Sequence, residues 1–224
     1  MLEFLLEILH GSVEYKEWGW NSTTVGSVGV FIFIFVEGWG LWKQSGTIWL
    51  EKSGTSVSFR WFTFIGAYFG ATIPYGIYHE SIAMTASAVV TTVLHIPIIV
   101  GLMKYKDLDI SEIIQSVLYL LMIPVIILTE EKEFFYTLFS FGTIYALATQ
   151  PLELYKTKDP GAVDIRLIAV YVVSTLFWIV FAFSIKSPAL MIVCPCSLII
   201  LLTTGVMWRY YKKRPHLSQI RNPY

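Results

Sequence analysis

Charged residues are scarce in this chain, and their scarcity excludes most soluble folds. Only 14% of the 224 residues are charged, whereas 55% are hydrophobic and the mean hydropathy is +0.63. Soluble domains carry about 25% charged residues. The composition therefore predicts a membrane protein that crosses the bilayer several times.

Net charge, cysteine pairs and catalytic motifs are also missing. The formal net charge is zero and the basic residues are scattered over short loops, which offers no surface for nucleic acid. Cys194 and Cys196 lie two positions apart in an apolar run and would point in different directions from a helix, which excludes a disulfide framework. Because zinc-ligand spacing, a nucleophile elbow and a phosphate-binding loop are absent, we expect no enzyme, no catalytic residue, no metal and no cofactor.

Long apolar runs are what the chain does contain. Seven runs each approach the ~20 residues that a helix needs to cross a ~30 Å hydrocarbon core. They predict an all-α membrane protein, preceded by a short interfacial helix at residues 1–10. The predicted spans are residues 24–46, 59–79, 82–104, 111–129, 133–155, 163–185 and 188–211.

An internal repeat organises these spans. Residues 43–60 align without a gap with residues 149–166, an offset of 106 positions that places Gln44 on Gln150 and Lys52 on Lys158. The offset indicates two parallel three-helix bundles joined by a linker helix, a 3-1-3 layout. The predicted units are an N-terminal segment 1–23, a first bundle 24–106, a linker helix 107–132, a second bundle 133–212 and a tail 213–224.

Basic residues are segregated along the chain and predict its orientation. With the amino terminus outside, thirteen of the sixteen Lys and Arg residues fall in inside segments, and only Lys16, Lys132 and Lys186 fall outside. Positive residues concentrate in cytoplasmic loops. We therefore predict an integral membrane protein with the amino terminus extracellular or luminal and the carboxyl terminus cytosolic.

Three motifs resemble those of a known family. Gln150 with the following Leu154 and residues 155–158 (YKTK) resembles the loop that names the PQ-loop superfamily, which includes SWEET sugar carriers and amino-acid exporters. Residues 178–182 (WIVFA) look like that family's Trp-x-x-Tyr-Gly, and residues 72–76 (TIPYG) like its first-repeat partner. The family layout is also 3-1-3, so the resemblance implies a transporter that works by alternating access.

The resemblance also implies site residues. Gln44, Gln150 and Pro151 correspond to the family's hinge or gate, although Thr149 stands where the family has its proline. In sugar-carrying members an asparagine of the third and seventh helices contacts the substrate, and Val90 and Cys196 correspond to it here. The residues expected to line a central pocket are Trp178, Cys196, Thr72, Tyr75 and Val90.

Two ionisable residues stand out on physical grounds alone. Glu37 lies deep in the first predicted span, where an ionised and unpaired carboxylate is costly by ~2.5 kcal/mol or more. His95 lies at the same relative depth in the third span, and the resemblance implies that these helices are neighbours. A Glu37–His95 pair could couple a proton to transport; the alternative is a neutral Glu37 hydrogen-bonded to a backbone carbonyl or a tryptophan indole.

These patterns predict a transporter of a small solute such as a sugar, an amino acid or a nucleoside-like vitamin. It would act either as a facilitator or as a carrier whose transport is coupled to protons through Glu37. The alternative from another class is a seven-helix receptor or sorting protein that binds a ligand without transporting it. The expected partners are the solute and the lipid bilayer, and the sequence leaves the substrate and a homo-oligomeric state open.

Overall fold

The structure, a computed structural model, describes residues 9–184 and 187–214, apart from the side chains of residues 188 and 189. The regular secondary structure in this part is helical, and no strand occurs there. Most of the predicted interfacial helix 1–10 and of the tail 213–224 lies outside the described residues. The helices are α1 Val13–Lys16, α2 Ser22–Glu51, α3 Phe59–Tyr78, α4 Ile82–Tyr105, α5 Ile110–Leu120, α6 Met122–Leu128, α7 Lys132–Thr157, α8 Ile165–Ser184 and α9 Pro188–Lys212.

Two of the predicted spans differ from the structure in detail. The helix of the first span continues beyond residue 46 and ends at Glu51, where Lys52 caps it with a left-handed φ of 49°. The fourth is broken at Leu121 into α5 and α6. Pro124 has no N–H to donate to the carbonyl four residues earlier, which accounts for a break at this point.

Among the described residues, five helices are long and apolar enough to cross a membrane by length and composition. They are Ser22–Glu51, Ile82–Tyr105, Ile110–Leu128 across α5 and α6, Ile165–Ser184 and Leu190–Lys212. Helices α3 and α7 are also long, at 20 and 26 residues, but each carries three tyrosines along with other polar residues. Much of that polarity lies where α3 and α7 face each other, as at Tyr68 and Tyr136. The chain is therefore an integral membrane protein of the all-α class.

Six helices pack in a closed ring. Going round the ring, α2 contacts α4, α4 contacts α3, α3 contacts α7, α7 contacts α9, α9 contacts α8, and α8 returns to α2. Helices α5 and α6 lie outside the ring against α3, and α6 also touches α7. The ring order differs from the chain order, and it surrounds a central space.

Small residues allow the closest contact in the ring, between α2 and α8. A Cβ atom added at Gly26 would lie 2.8 Å from the Cα of Phe181, and one added at Gly29 would overlap the ring of Phe177. In membranes, glycines at such positions let helix backbones approach without a large side chain between them. The contact holds α2 and α8 together beside the central space.

Candidate functional site

A cavity of about 120 Å³ lies inside the helix ring. Side chains of α2, α3, α7, α8 and α9 form its wall, and six of them are aromatic. The described lining residues are Glu37, Trp61, Ile65, Tyr68, Phe69, Thr72, Tyr136, Thr143, Leu147, Tyr171, Thr175, Trp178, Leu190, Val193, Cys194, Ser197 and Leu201.

Glu37 is the one carboxylate among the described lining residues, and it is only 3% exposed. The hydroxyl of Ser174, on α8, donates a hydrogen bond to Oε1 of Glu37. Oε2 of Glu37 and the hydroxyl of Tyr171, one turn from Ser174, have no hydrogen-bond partner among the described residues. An unpaired buried polar atom is costly, so this pair of groups marks the part of the wall that can still bind a polar ligand.

His95 lies elsewhere in the core. It is 1% exposed, its Nδ1 is 2.7 Å from the carbonyl oxygen of Thr91, and its ring packs near Phe62. Within the described part of the chain no hydrogen bond or ion pair joins His95 to Glu37. The hydrogen-bond partner of Glu37 is instead Ser174 on α8. Equal depth of two residues in their spans does not show which helices are neighbours, so the sequence could not predict this partner.

The remaining hydroxyls of the cavity wall largely satisfy one another. Tyr68 donates to the hydroxyl of Tyr136 at 2.7 Å and lies 2.9 Å from that of Ser140. Thr72 donates to the carbonyl of Tyr68 at 2.8 Å and lies 3.3 Å from the Tyr136 hydroxyl. Thr143 and Thr175 donate to carbonyls of their own helices. This network ties α3 to α7 and leaves the cavity wall mainly aromatic and apolar.

Two of the five predicted pocket residues, Trp178 and Thr72, line the cavity. On α9 the lining residues include Cys194 and Ser197, whereas Cys196 is not among the described lining residues. Consecutive residues of a helix are about 100° apart, so a shift of two positions turns a side chain away from the centre. Val90 likewise is not among those residues.

Tyr75 lines a second, wider cavity of about 590 Å³, which we call the vestibule. Leu190 borders both the vestibule and the central cavity. The ring of Tyr75 stacks on Tyr136 with centroids 3.6 Å apart, and its hydroxyl donates to Glu133 at 2.8 Å. The described vestibule residues are Val13, Glu17, Thr23, Tyr75, His79, Ser81, Met84, Glu133, Thr137, Phe181, Ser184, Ser187 and Leu190.

The N-terminal segment forms part of the vestibule wall through Val13 and Glu17. Its Glu14 accepts three hydrogen bonds at the beginning of α4, from the Ser81 hydroxyl at 2.5 Å and from the backbone N–H groups of Ile82 and Ala83 at 3.1 Å each. A carboxylate is favourable at a helix N-terminus because the backbone N–H groups there are unpaired. This contact holds the segment at the side of the ring on which the vestibule lies.

The opposite side of the ring is closed by two contacts that we call the glutamine clasps. In the first, Gln44 Nε2 donates to the carbonyl of Ala162 at 2.8 Å and Gln44 Oε1 accepts from the N–H of Asp164 at 2.9 Å. Both partners lie just before α8. The side-chain amide thus binds a backbone segment of the other half of the chain with both of its ends.

The second clasp has the same geometry. Gln150 Nε2 donates to the carbonyl of Ser56 at 2.8 Å, and Gln150 Oε1 accepts from the N–H of Ser58 at 3.0 Å. All three residues lie 106 positions before or after their counterparts in the first clasp. A hydroxyl contact between Ser58 and Thr149, 2.5 Å long, adds to it. Pro151 follows inside α7 without ending the helix.

Sequence reasoning missed Ser174, Tyr171 and Cys194. A polar residue in the apolar run of α8 was a usable signal for Ser174. The repeat offset gave a second signal for the cavity wall, because it pairs Glu37 with Thr143 and both residues line the cavity. Which side chains face the cavity depends on how each helix is rotated about its axis, and neither signal predicts that rotation.

The helix ring and its enclosed cavity define the class of this chain as an all-α integral membrane protein. Its fold is similar to a solved structure described as the 3.7 Å resolution structure of a eukaryotic SWEET transporter, with a TM-score of 0.57 and 11% sequence identity. The match covers 86% of this chain and 98% of the other. No family model and no curated protein sequence matches the chain.

At 11% identity the likeness shows the fold alone.

Proposed function

We propose that this protein is a membrane transporter that moves a small solute by alternating access. The observation that carries the proposal is the central cavity, which borders a vestibule on one side and is separated from the other side by the two glutamine clasps. A cavity near the bilayer centre between two structural repeats is the usual site of such carriers. The similarity in fold to a SWEET transporter agrees with this function.

The proposal includes seven membrane spans in a 3-1-3 layout, with α2–α4 and α7–α9 as two parallel repeats and α5–α6 as the linker. The identical geometry of the two clasps at an offset of 106 residues supports it. The amino terminus is outside and the basic loop side faces the cytosol, as the distribution of Lys and Arg favours. The vestibule is then the outer entrance and the glutamine clasps form the inner gate.

Each part of the site has a proposed role. Trp178 and Thr72 contact the solute in the cavity, and Tyr75 contacts it in the vestibule. Glu37 binds and releases a proton. Ser174, which donates a hydrogen bond to Glu37, takes the assisting role that the sequence suggested for His95. Gln44 and Gln150 close the inner gate, and Pro151 gives α7 a point at which it can bend.

Uptake by proteoliposomes tests the function. Trp178→Ala should abolish uptake, whereas Trp42→Ala, at a tryptophan that is 66% exposed on the outside of the ring, should leave it intact. In Glu37→Gln, uptake should lose its dependence on a pH gradient. Gradient-driven uptake in Glu37→Gln would rule out the coupling role, and saturable binding without flux would favour the receptor alternative.

A further inference from the structure

The free polar groups of the central cavity indicate what kind of solute fits it. Among the described lining residues, the polar atoms that are both buried and unpartnered are Glu37 Oε2 and the Tyr171 hydroxyl. The side chain of Glu37 is almost fully buried, and a carboxylate oxygen without a partner accepts a hydrogen bond or faces a positive charge. The described part of the lining contains no Lys, Arg or His that could supply that charge from the protein.

The rest of the wall suits a cation as well. Six aromatic side chains line the cavity: Trp61, Tyr68, Phe69, Tyr136, Tyr171 and Trp178. Aromatic faces attract ammonium groups, and the attraction strengthens where water is excluded. A polyhydroxylated solute would need many free donors and acceptors, but most wall hydroxyls are already bonded to one another or to helix carbonyls.

The vestibule provides an independent indication. Its described lining includes two carboxylates, Glu17 and Glu133, and no Lys or Arg; the one histidine there, His79, has its Nε2 2.6 Å from Oε1 of Glu133. A cleft lined by charges of one sign raises the local concentration of ions of the opposite sign. A positively charged solute would thus be concentrated next to the cavity, whereas an anion would be repelled.

Size limits the solute further. The cavity has a volume of about 120 Å³, and an apolar protein cavity of roughly 150 Å³ holds benzene. From these observations we infer that the central cavity binds a small organic cation, a primary or quaternary ammonium compound, with Glu37 as its counter-ion and the aromatic wall around its apolar groups. The inference rests on the proposed transport function, and it places the cation and the coupled proton at the same carboxylate.

The test compares two probes of the same shape. Choline carries a quaternary nitrogen, and 3,3-dimethylbutan-1-ol carries carbon at the same position and no charge. Binding to the purified protein in detergent, measured by titration calorimetry and thermal shift, should favour choline over the alcohol by at least about tenfold. Tetramethylammonium serves as a smaller cation in case the hydroxyethyl arm of choline obstructs binding.

Variants connect binding to the proposed residues. Glu37→Gln should weaken choline binding by at least about tenfold, and Trp178→Ala should weaken it by several-fold. Glu51→Gln removes an exposed carboxylate at the other end of α2 and should have no effect.

The outcomes separate this inference from the proposed function. Equal affinity for choline and the alcohol, no saturable binding of either cation, or full cation binding in Glu37→Gln would each overturn the inference. Glu37-dependent binding of choline without flux in proteoliposomes would support the cation site and contradict the transporter. Uptake of a neutral solute with no competition from choline would support the transporter and contradict the cation site.

Discussion

Removing either glutamine clasp should open the basic side of the protein. Gln44→Met and Gln150→Met keep the approximate size of the side chain but lose the two hydrogen bonds that each amide makes to the opposite half. A net contribution of about 1 kcal/mol per hydrogen bond gives about 2 kcal/mol per clasp. Since 1.4 kcal/mol corresponds to tenfold, each variant should shift the equilibrium between closed and open gate by about 30-fold.

The native thiol of Cys194 can report this shift, because it lies in the cavity wall behind the clasps. In a Cys196→Ser background it is the one remaining cysteine of the chain. A small membrane-impermeant methanethiosulfonate, applied to the basic side in oriented proteoliposomes, should modify Cys194 about 30-fold faster in each glutamine variant. The double variant should be faster still, because the clasps lie at separate helix contacts and independent effects add.

Gln115→Met is the matched control for this experiment. Gln115 lies on α5 outside the ring and contacts Tyr119 of the same helix at 3.5 Å. Its replacement should leave the modification rate of Cys194 unchanged. If the clasp variants react no faster than Gln115→Met, the clasps do not hold the gate, and the reasoning from their geometry is wrong.

Three further predictions concern stability and binding. Gly26→Ala should lower the free energy of unfolding by about 1–3 kcal/mol in a thermal-shift assay, since the new methyl group meets the backbone of Phe181, whereas Gly46→Ala, with no atom within 4 Å, should be neutral. Glu14→Gln should destabilise the N-terminal segment by about 0.3–1 kcal/mol, seen as faster proteolysis at that segment, because the charge at the beginning of α4 is lost. Trp178→Phe should retain more uptake than Trp178→Ala, because it keeps an aromatic face in the cavity.

The sequence allowed the membrane class and most helix positions to be predicted, because hydrophobic length is a strong constraint on spans. It also identified Gln44 and Gln150 through their offset, and their matching contacts explain why both halves have an amide there. What it could not give was rotation about the helix axes. Cys196 was chosen where Cys194 lines the cavity, an error of two positions on one helix.

The partner of Glu37 was missed for a related reason. Depth along a span can be counted from the sequence, and it suggested His95 on the third span. Which helices lie side by side depends on the order of the ring, in which α2 contacts both α4 and α8. Ser174 of α8 has the carboxylate of Glu37 in reach, and nothing in the local sequence specifies that choice.

The wide vestibule also has an electrical consequence. Water entering this space of about 590 Å³ would carry the electrical potential of the solution on that side as far as the stacked rings of Tyr75 and Tyr136. The membrane voltage would then fall mainly between the cavity and the glutamine clasps. Moving one elementary charge through 100 mV corresponds to ~2.3 kcal/mol. Voltage would therefore act on the step in which the clasps separate, and much less on the entry of a charged solute into the vestibule.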